Sequence, residues 1–410
     1  MKLLIVTQYF WPETFIINDL ALGLREMGHE IEVLTGMPNY PSGSLFPGYS
    51  MTRPRRDYFE GIPIRRVPLI PRFKGRGWNL FLNYLSFALS ASVIGPMRCK
   101  SRYDIIFVFE PSPITVGLPA MVFKKVSGAP VIFWVQDLWP ESLMATGAVT
   151  SKKILAGVRF FVRLLYRRCD RILVQSRAFI APIVSLGVAK ETVTFFPNSA
   201  ESLYRPLELE PDAAERKKVP VGFIVMFAGN IGADQDFPTI LKAAETLKTK
   251  EDIHFVILGD GRQYTWLKSQ VARRGLGRTF HLLGRYPVTA MPRFFALADT
   301  LLVSLRKEPI FKLTIPSKVQ SYMACGRPIL AALDGEGARV VSETGAGIAC
   351  GAENPGELAK SILEMYNLPE TERKKMGEKG LKYFKENFER TLLLKRLDKM
   401  MKTMQWGTMK

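Results

Sequence analysis

Three segments in the second half of the chain carry residues suited to holding a diphosphate. They are Phe227-Ala228-Gly229-Asn230-Ile231-Gly232, Leu258-Gly259-Asp260-Gly261-Arg262 and Thr314-Ile315-Pro316-Ser317-Lys318. The first two end apolar, strand-like runs and lead into helical patterns; the third opens a helix that Gly326 closes. A diphosphate needs backbone N–H groups that can approach closely, a positive helix end and one or two side-chain cations. The glycines, the helix starts, Lys318 and Arg262 supply all of these. Taken singly, each segment reads equally well as a tight turn; three in one domain, with bases in two, point to a nucleotide-diphosphate ligand.

The first half offers carboxylates instead. Asp137 ends the run VIFWVQ, so it is expected at the mouth of a cleft, with Trp139-Pro140-Glu141 just beyond it. It could equally cap the next helix. Glu13 and Asn18 flank the first strand-to-helix loop and could hold donor phosphate or acceptor. His29 follows a helix-ending glycine, and His254 and His281 sit inside strand patterns. All three read as structural.

The elements that must position these groups alternate. In the first half, strand-like runs cover 3–8, 31–36, 62–67, 104–109, 131–136, 171–176 and 192–196, with helical patterns such as 15–27 and 114–126 between them. After a polar segment at 201–220, read as a linker, a second cycle follows at 223–229, 253–259, 278–284, 300–305 and 328–333. Strands apolar on both faces, each followed by a helix, indicate parallel sheets with helices on either side. The expected fold class is therefore α/β, with two doubly wound, Rossmann-like parallel-sheet domains facing across a cleft and ending in helices. The expected division is 1–200, 201–385 and a terminal helix 386–410 that returns to the first domain.

Composition narrows the partners. At 410 residues and 47% apolar, two ordinary cores are possible. Lys and Arg number 57 against 38 Asp and Glu, a net of +19, which calls for a polyanionic partner. Arg53, Arg55, Arg56, Arg65, Arg66, Arg72, Lys74 and Arg76 cluster with Tyr58, Phe59, Phe73 and Trp78, while Arg159, Arg163 and Arg167 share one helical face. Both clusters suit either an anionic bilayer or plain solvent. The apolar stretch 78–97 carries Asn79, Asn83, Ser86 and Ser90 at helical spacing, and so reads as an interfacial or packed helix rather than a span. No signal peptide is expected where Lys2 runs into LLIV, and four scattered cysteines suit a reducing compartment. No zinc spacing, RNP-like sheet or helix-turn-helix pattern appears, so nucleic acid is not an expected partner. A dinucleotide fingerprint is missing from the first loop, TQYFWPETF.

The motifs GNIG, ILGDG, LGRYP and PSKVQSYMACGRPIL, together with TQYFWPE, GHEIEVLTG, MPNYPSG and FWVQDLWPESL, resemble the retaining glycosyltransferases of family 4, which have the GT-B fold. The resemblance covers nearly the whole chain. It is strongest to the bacterial subgroup of O-antigen, capsule and colanic-acid assembly that includes the WbuB-like L-fucosamine transferases. It implies a UDP-sugar donor held over Gly229, Asn230, Ile231 and Gly232, and near Pro316, Ser317, Lys318 and Ser321. The base and ribose would lie near Asp260, Gly261, Arg262, Arg285 and Tyr286.

It also implies retention of configuration, no metal or cofactor, and a lipid-linked saccharide acceptor contacting Asn18, Asn39, Tyr40, Trp139 and Glu141. Asp137, Glu13 and Lys318 become the catalytic candidates, and Asp137 a sugar-hydroxyl ligand or stabiliser of positive charge. The acceptor favours a membrane role for Arg53, Arg55, Arg56, Arg72, Lys74, Arg76, Trp78, Arg159, Arg163 and Arg167, peripheral on the cytoplasmic face of the plasma membrane. The chain departs from the family pattern where members carry cations, at Asn230 and Gln235, and where they carry glutamates, at Leu313 and Ser321. Two alternatives remain open: a UDP-sugar epimerase on the same fold, and an inactive nucleotide-sugar-binding relative.

Overall fold

The computed structural model describes residues 1–73, 77–145 and 149–408. The chain forms two compact units, Met1–Pro197 with Leu393–Lys410, and Asn198–Leu392.

The first unit is built on β1 (Lys2–Val6), β2 (Glu30–Gly36), β3 (Arg56–Phe59), β4 (Ile62–Val67), β5 (Ile105–Glu110), β6 (Val131–Val135), β7 (Arg171–Val174) and β8 (Val193–Phe195). The sheet order is β3-β4-β2-β1-β5-β6-β7-β8, parallel except for the β3–β4 pair. The chain runs outward from β1 through β2 to β4, then starts again at β5 and runs the other way. The switch point therefore lies between β1 and β5, where the crevice of such a sheet opens. Its helices are α1 (Ile16–Glu26), α2 (Gly77–Arg98), α3 (Gly117–Ser127), α4 (Glu141–Ala145), α5 (Lys152–Tyr166) and α6 (Ile180–Ser185).

The second unit has β9 (Phe223–Ala228), β10 (Ile253–Leu258), β11 (Phe280–Gly284), β12 (Thr300–Ser304), β13 (Ile329–Ala332) and β14 (Gly347–Cys350), all parallel, in the order β11-β10-β9-β12-β13-β14. Its helices are α7 (Phe237–Thr246), α8 (Tyr264–Arg273), α9 (Met291–Phe295), α10 (Pro309–Leu313), α11 (Ser317–Ala324), α12 (Glu336–Thr344), α13 (Pro355–Asn367) and α14 (Glu370–Asn387). The last helix, α15 (Arg390–Thr408), packs Leu393, Leu394, Leu397 and Met401 into the first unit's core beside α1, and Asp398 meets the buried His29 at 3.0 Å. That contact gives His29 a structural role.

Sheet residues alternate between two helix layers, as the pleat requires. Ile5, Phe107 and Trp134 face α1 and α15, whereas Phe133 meets Tyr166 of α5 and Leu34 lies against Gly95 of α2. Two strands escape the sequence reading. β3 is a short edge strand rich in charge, and β14 is Gly-Ile-Ala-Cys, too short and too bland to carry a period.

α2 inverts the usual polarity of a surface helix. Its polar stripe points inward: Asn83 donates to the Ile70 carbonyl at 2.6 Å, Ser90 to the Pro68 carbonyl at 2.5 Å, and Ser86 accepts from Ile70 N–H at 2.9 Å. Trp78, Phe81, Leu89, Val93 and Met97 face outward, each more than half exposed. The helix is long and apolar enough to cross a bilayer, yet only 28% of its apolar window is buried.

Candidate donor site and the crevice of the first unit

The two glycine loops of the second unit lock together. Gly229 N–H donates to Leu258 O at 2.9 Å and Ile231 N–H to Asp260 O at 2.8 Å. A side-chain carbon added at Gly259 would overlap the Gly229 carbonyl, and one at Gly261 the Ile231 carbonyl. These glycines are required first by loop-to-loop packing. Gly229 serves the ligand side as well: a carbon there would lie 2.7 Å from Cε of Lys318, so its absence lets the lysine approach the loop.

Lys318, in the first turn of α11, holds its ammonium 4.1 Å from the centre of the Phe227 ring and donates to Oε1 of Gln235. Loss of hydration lowers the ammonium to about 7. No carboxylate pairs with it among the described residues. The α11 N-terminus, at Pro316, has no side-chain cap, so its first N–H groups face the same space. Gln235, one of the departures from the family pattern, is thus a neutral oxygen seated directly on the lysine.

Around these groups lies a cavity of 780 Å³ in the second unit. Gly229, Asn230, Asp260, Gly261, Arg285, Tyr286, Ser317, Lys318 and Ser321, all among the donor candidates of the sequence, line it. Ile231, Gly232, Pro316 and Arg262 do not. Ile231 is fully buried in the core beneath the loop, and Pro316 is the N-cap residue of α11. The arginine that lines the cavity is therefore Arg285, which follows β11, and not Arg262.

The remaining wall is apolar and aromatic: Tyr204, Val288, Met291 and Phe295, with Tyr204 and Phe295 stacked at 6.0 Å. Sequence reasoning missed this wall. Tyr204 sits in a segment read as a linker, and Val288 and Met291 belong to a short, aperiodic stretch. A base-sized aromatic wall opposite an amine and open N–H groups can bind a nucleoside diphosphate.

The first unit gathers its predicted residues less evenly. Glu13 is buried and accepts from Phe10, Asn39 and Tyr40 N–H at 3.3, 2.8 and 2.7 Å. Burial pushes it up to about 7, against the pull of those donors. Both oxygens are engaged by the backbone, so Glu13 is a loop anchor and not a phosphate or acceptor ligand. Asn39 is corrected likewise: fully buried, it accepts from Arg72 N–H at 3.1 Å and donates to Met37 O. Asn18 donates to the Glu13 carbonyl at 2.8 Å.

Tyr40 is 38% exposed. Asp137 is half-buried, burial pushes it up to about 6, and its charge acts on the phenol of Tyr84. Next to it lies a residue that no motif signalled. Glu110, at the end of β5, is fully buried, and desolvation raises it strongly, against the pull of the Asp137 and Gln136 backbone N–H groups. Trp139 is buried and Glu141 pairs with Arg159 at 3.6 Å; both line a 190 Å³ cavity with Tyr166 of α5 and Ile183 of α6.

The basic clusters separate. Arg53, Arg55, Arg56, Arg159, Arg163 and Arg167 are exposed, as is Trp78. Arg66, counted in the first cluster, is fully buried and pairs with Asp57 at 3.0 Å; Arg65 pairs with Glu32. Arg72 is half-buried over the Tyr40 ring. Lys74 and Arg76 lie outside the described residues.

Two successive units, each built on a predominantly parallel sheet with helices on both faces, define the GT-B fold. Comparison with known proteins agrees. Residues 15–199 match the glycosyl transferase 4-like domain and residues 211–383 the glycosyl transferases group 1 domain, and the chain belongs to the glycosyltransferases. It is 26% identical over 344 residues to WcaI of Escherichia coli (strain K12), named as a colanic acid biosynthesis glycosyl transferase, covering 80% of this chain and 82% of that one. It is 27% identical to WbjE of Pseudomonas aeruginosa, named as a glycosyltransferase, over 66% and 68% of the two chains. Among solved structures, Anabaena HepE in complex with UDP superposes with a TM-score of 0.70 at 15% identity, over 98% of this chain and 100% of that one.

Proposed function

We propose that this glycosyltransferase moves a sugar, of hexosyl or N-acetylhexosaminyl type and L-FucNAc in the WbuB-like reading, from a UDP-sugar to a polyprenyl-diphosphate-linked saccharide. It does so with retention, in assembly of a surface polysaccharide. The donor cavity of the second unit carries the reading. Its aromatic wall suits uracil, and Lys318, Arg285 and the open N-terminus of α11 suit the diphosphate. The departing UDP gains negative charge as the sugar–oxygen bond breaks, and preorganised donors that meet that charge lower the barrier. Asp137 stabilises the electron-poor sugar or holds a sugar hydroxyl, and a donor phosphate oxygen takes the acceptor proton. The curated relative named for colanic acid biosynthesis supports the polysaccharide setting.

The same reading places the enzyme on the cytoplasmic face of the plasma membrane. α2 presents Trp78, Phe81, Leu89, Val93 and Met97 outward, and α5 presents Arg159, Arg163 and Arg167 beside exposed Phe160. Both belong to the helix layer that α3 joins, opposite α1 and α15. An apolar ridge and a basic one on the same helix layer, with α3 between them, suit an anionic bilayer surface.

The test is to incubate the purified chain with a panel of UDP-sugars and polyprenyl-diphosphate saccharides, following lipid extension by mass spectrometry and anomeric configuration by NMR. Extended product with retained configuration is expected. Altered sugar from donor alone would establish the epimerase, and donor binding without turnover the inactive relative. Replacing Phe81, Leu89 and Val93 together by Ser should release the protein from acidic vesicles without loss of fold; unchanged binding would remove α2 from the membrane face.

A further inference from the structure

The switch-point side of the first unit carries a preorganised surface that the donor chemistry does not use. Loops after β1, β2, β4 and β5 bring Tyr9, Tyr40, Arg72 and Ser112 to the same end of the sheet. Tyr9 and Phe15 stack at 5.2 Å, and the half-open Tyr40 leans on both, at 5.6 and 5.3 Å. The Arg72 guanidinium lies 4.9 Å from the Tyr40 ring centre. Its charge acts on the phenols of Tyr9 and Tyr84, and that of Asp137 on Tyr84.

A buried polar network holds this surface in place. Glu13 fixes Tyr40 N–H and Asn39 N–H, and Asn39 fixes Arg72 N–H. Asn83, itself held by Gln8 at 2.7 Å, ties down the segment before Arg72. Burying four polar side chains is costly unless each bond is made, and here they serve to hold two loops at fixed positions. The Arg72 side chain has no part in that scaffold, because its own backbone N–H makes the tie. No carboxylate pairs with the guanidinium among the described residues. Stacking on Tyr40 leaves the guanidinium edges, with their forked N–H donors, free for an oxyanion.

We propose that Tyr40 and Arg72 bind the acceptor as an acidic saccharide, with the sugar ring against the exposed part of Tyr40 and a phosphoryl or carboxylate substituent on the Arg72 fork. This rests on the reading of the chain as a transferase with a saccharide acceptor, and adds the class of acceptor. It moves Arg72 from the membrane face to substrate recognition. A charge-assisted, forked pair discriminates strongly against a neutral sugar.

The test uses the full chain saturated with UDP, so that the donor cavity is occupied. It is titrated by calorimetry with N-acetylglucosamine 1-phosphate, glucuronic acid and neutral N-acetylglucosamine. At least one acidic probe should bind ten or more times tighter than the neutral sugar, by the usual strength of such pairs, and the tighter of the two names the oxyanion. Arg72→Gln should erase that difference, and Tyr40→Ala should weaken every saccharide alike. Both variants should keep UDP binding, which reports the fold and the donor reading separately; loss of UDP binding by the unaltered chain would sink that reading instead. Equal affinity for acidic and neutral sugars, no binding of any probe, or an Arg72→Gln variant that still discriminates overturns the proposal. So does an Arg72→Gln variant that loses acidic vesicles while keeping saccharide discrimination.

Discussion

The two ligand-facing regions solve opposite electrostatic problems. In the second unit a cation is kept partly out of water: Lys318 rests on an aromatic ring with only a neutral amide oxygen for company. In the first unit it is the acids that lose their water, Glu13, Glu110 and Asp137, and burial raises all three. A desolvated amine is primed for an arriving anion, whose approach restores its charge. Desolvated carboxyls act as fixed, weakly acidic groups that anchor loops or meet a positive centre. The difference is what the proposed function rests on when it gives the phosphates to the second unit and the sugar chemistry to the first.

The sharpest way to break this comparison is Lys318→Ala. Sugar transfer from the UDP-sugar should fall by about 100-fold or more, by the magnitude seen when one preorganised donor is removed. The thermal transition should stay where it was; a near-normal rate would take Lys318 out of the mechanism.

Asp137→Asn should cost somewhat less, roughly 10–100-fold in kcat, if the carboxylate meets developing positive charge. In the unaltered enzyme kcat/KM should rise as the pH passes about 6, where Asp137 ionises. That acid limb should vanish in the variant, and a limb that persists assigns it to another group.

UDP affinity is expected to depend on pH in the other direction. Lys318 is half-neutral near pH 7 in the free protein and must take up a proton to meet the diphosphate. Affinity should therefore fall as the pH rises above 7, by at most about tenfold per unit. Calorimetry in buffers of different ionisation enthalpy should show proton uptake, and its absence would mean that the lysine is already charged.

Glu13→Gln leaves the rate of transfer least changed and acts on stability. Glu13 titrates at about 7 in the folded chain against 4.5 for an ordinary glutamate, so between those values the folded state holds the extra proton. Its contribution is full below 4.5 and is lost as the pH climbs to 7, up to about 3 kcal/mol. The variant should flatten that slope in denaturant titrations across pH 4.5–7.

Much of this was legible in the residue string. β9 and β10 end in glycine as their apolar runs suggest, and Lys318 opens a helix beside them. The same string misplaced Arg262, Asn39 and Arg66. Arg262 looks like a phosphate ligand because it follows Gly261, yet Gly261 lines the cavity and Arg262 does not. Asn39 lies in a motif that matches a family and is consumed by its own scaffold.

Local pattern determined the α/β class, the two successive sheets and the loops where anions can approach, because strand, helix and turn preferences act over a few neighbouring residues. Tertiary structure alone decided which polar groups lose their water. Glu13 meets Asn39 from 26 positions away, Arg72 meets Asn39 from 33 and Lys318 meets Gln235 from 83. It also decided that α2 turns its serines inward and its tryptophan out. Desolvation is set by whatever happens to pack alongside, and those neighbours come from distant parts of the chain.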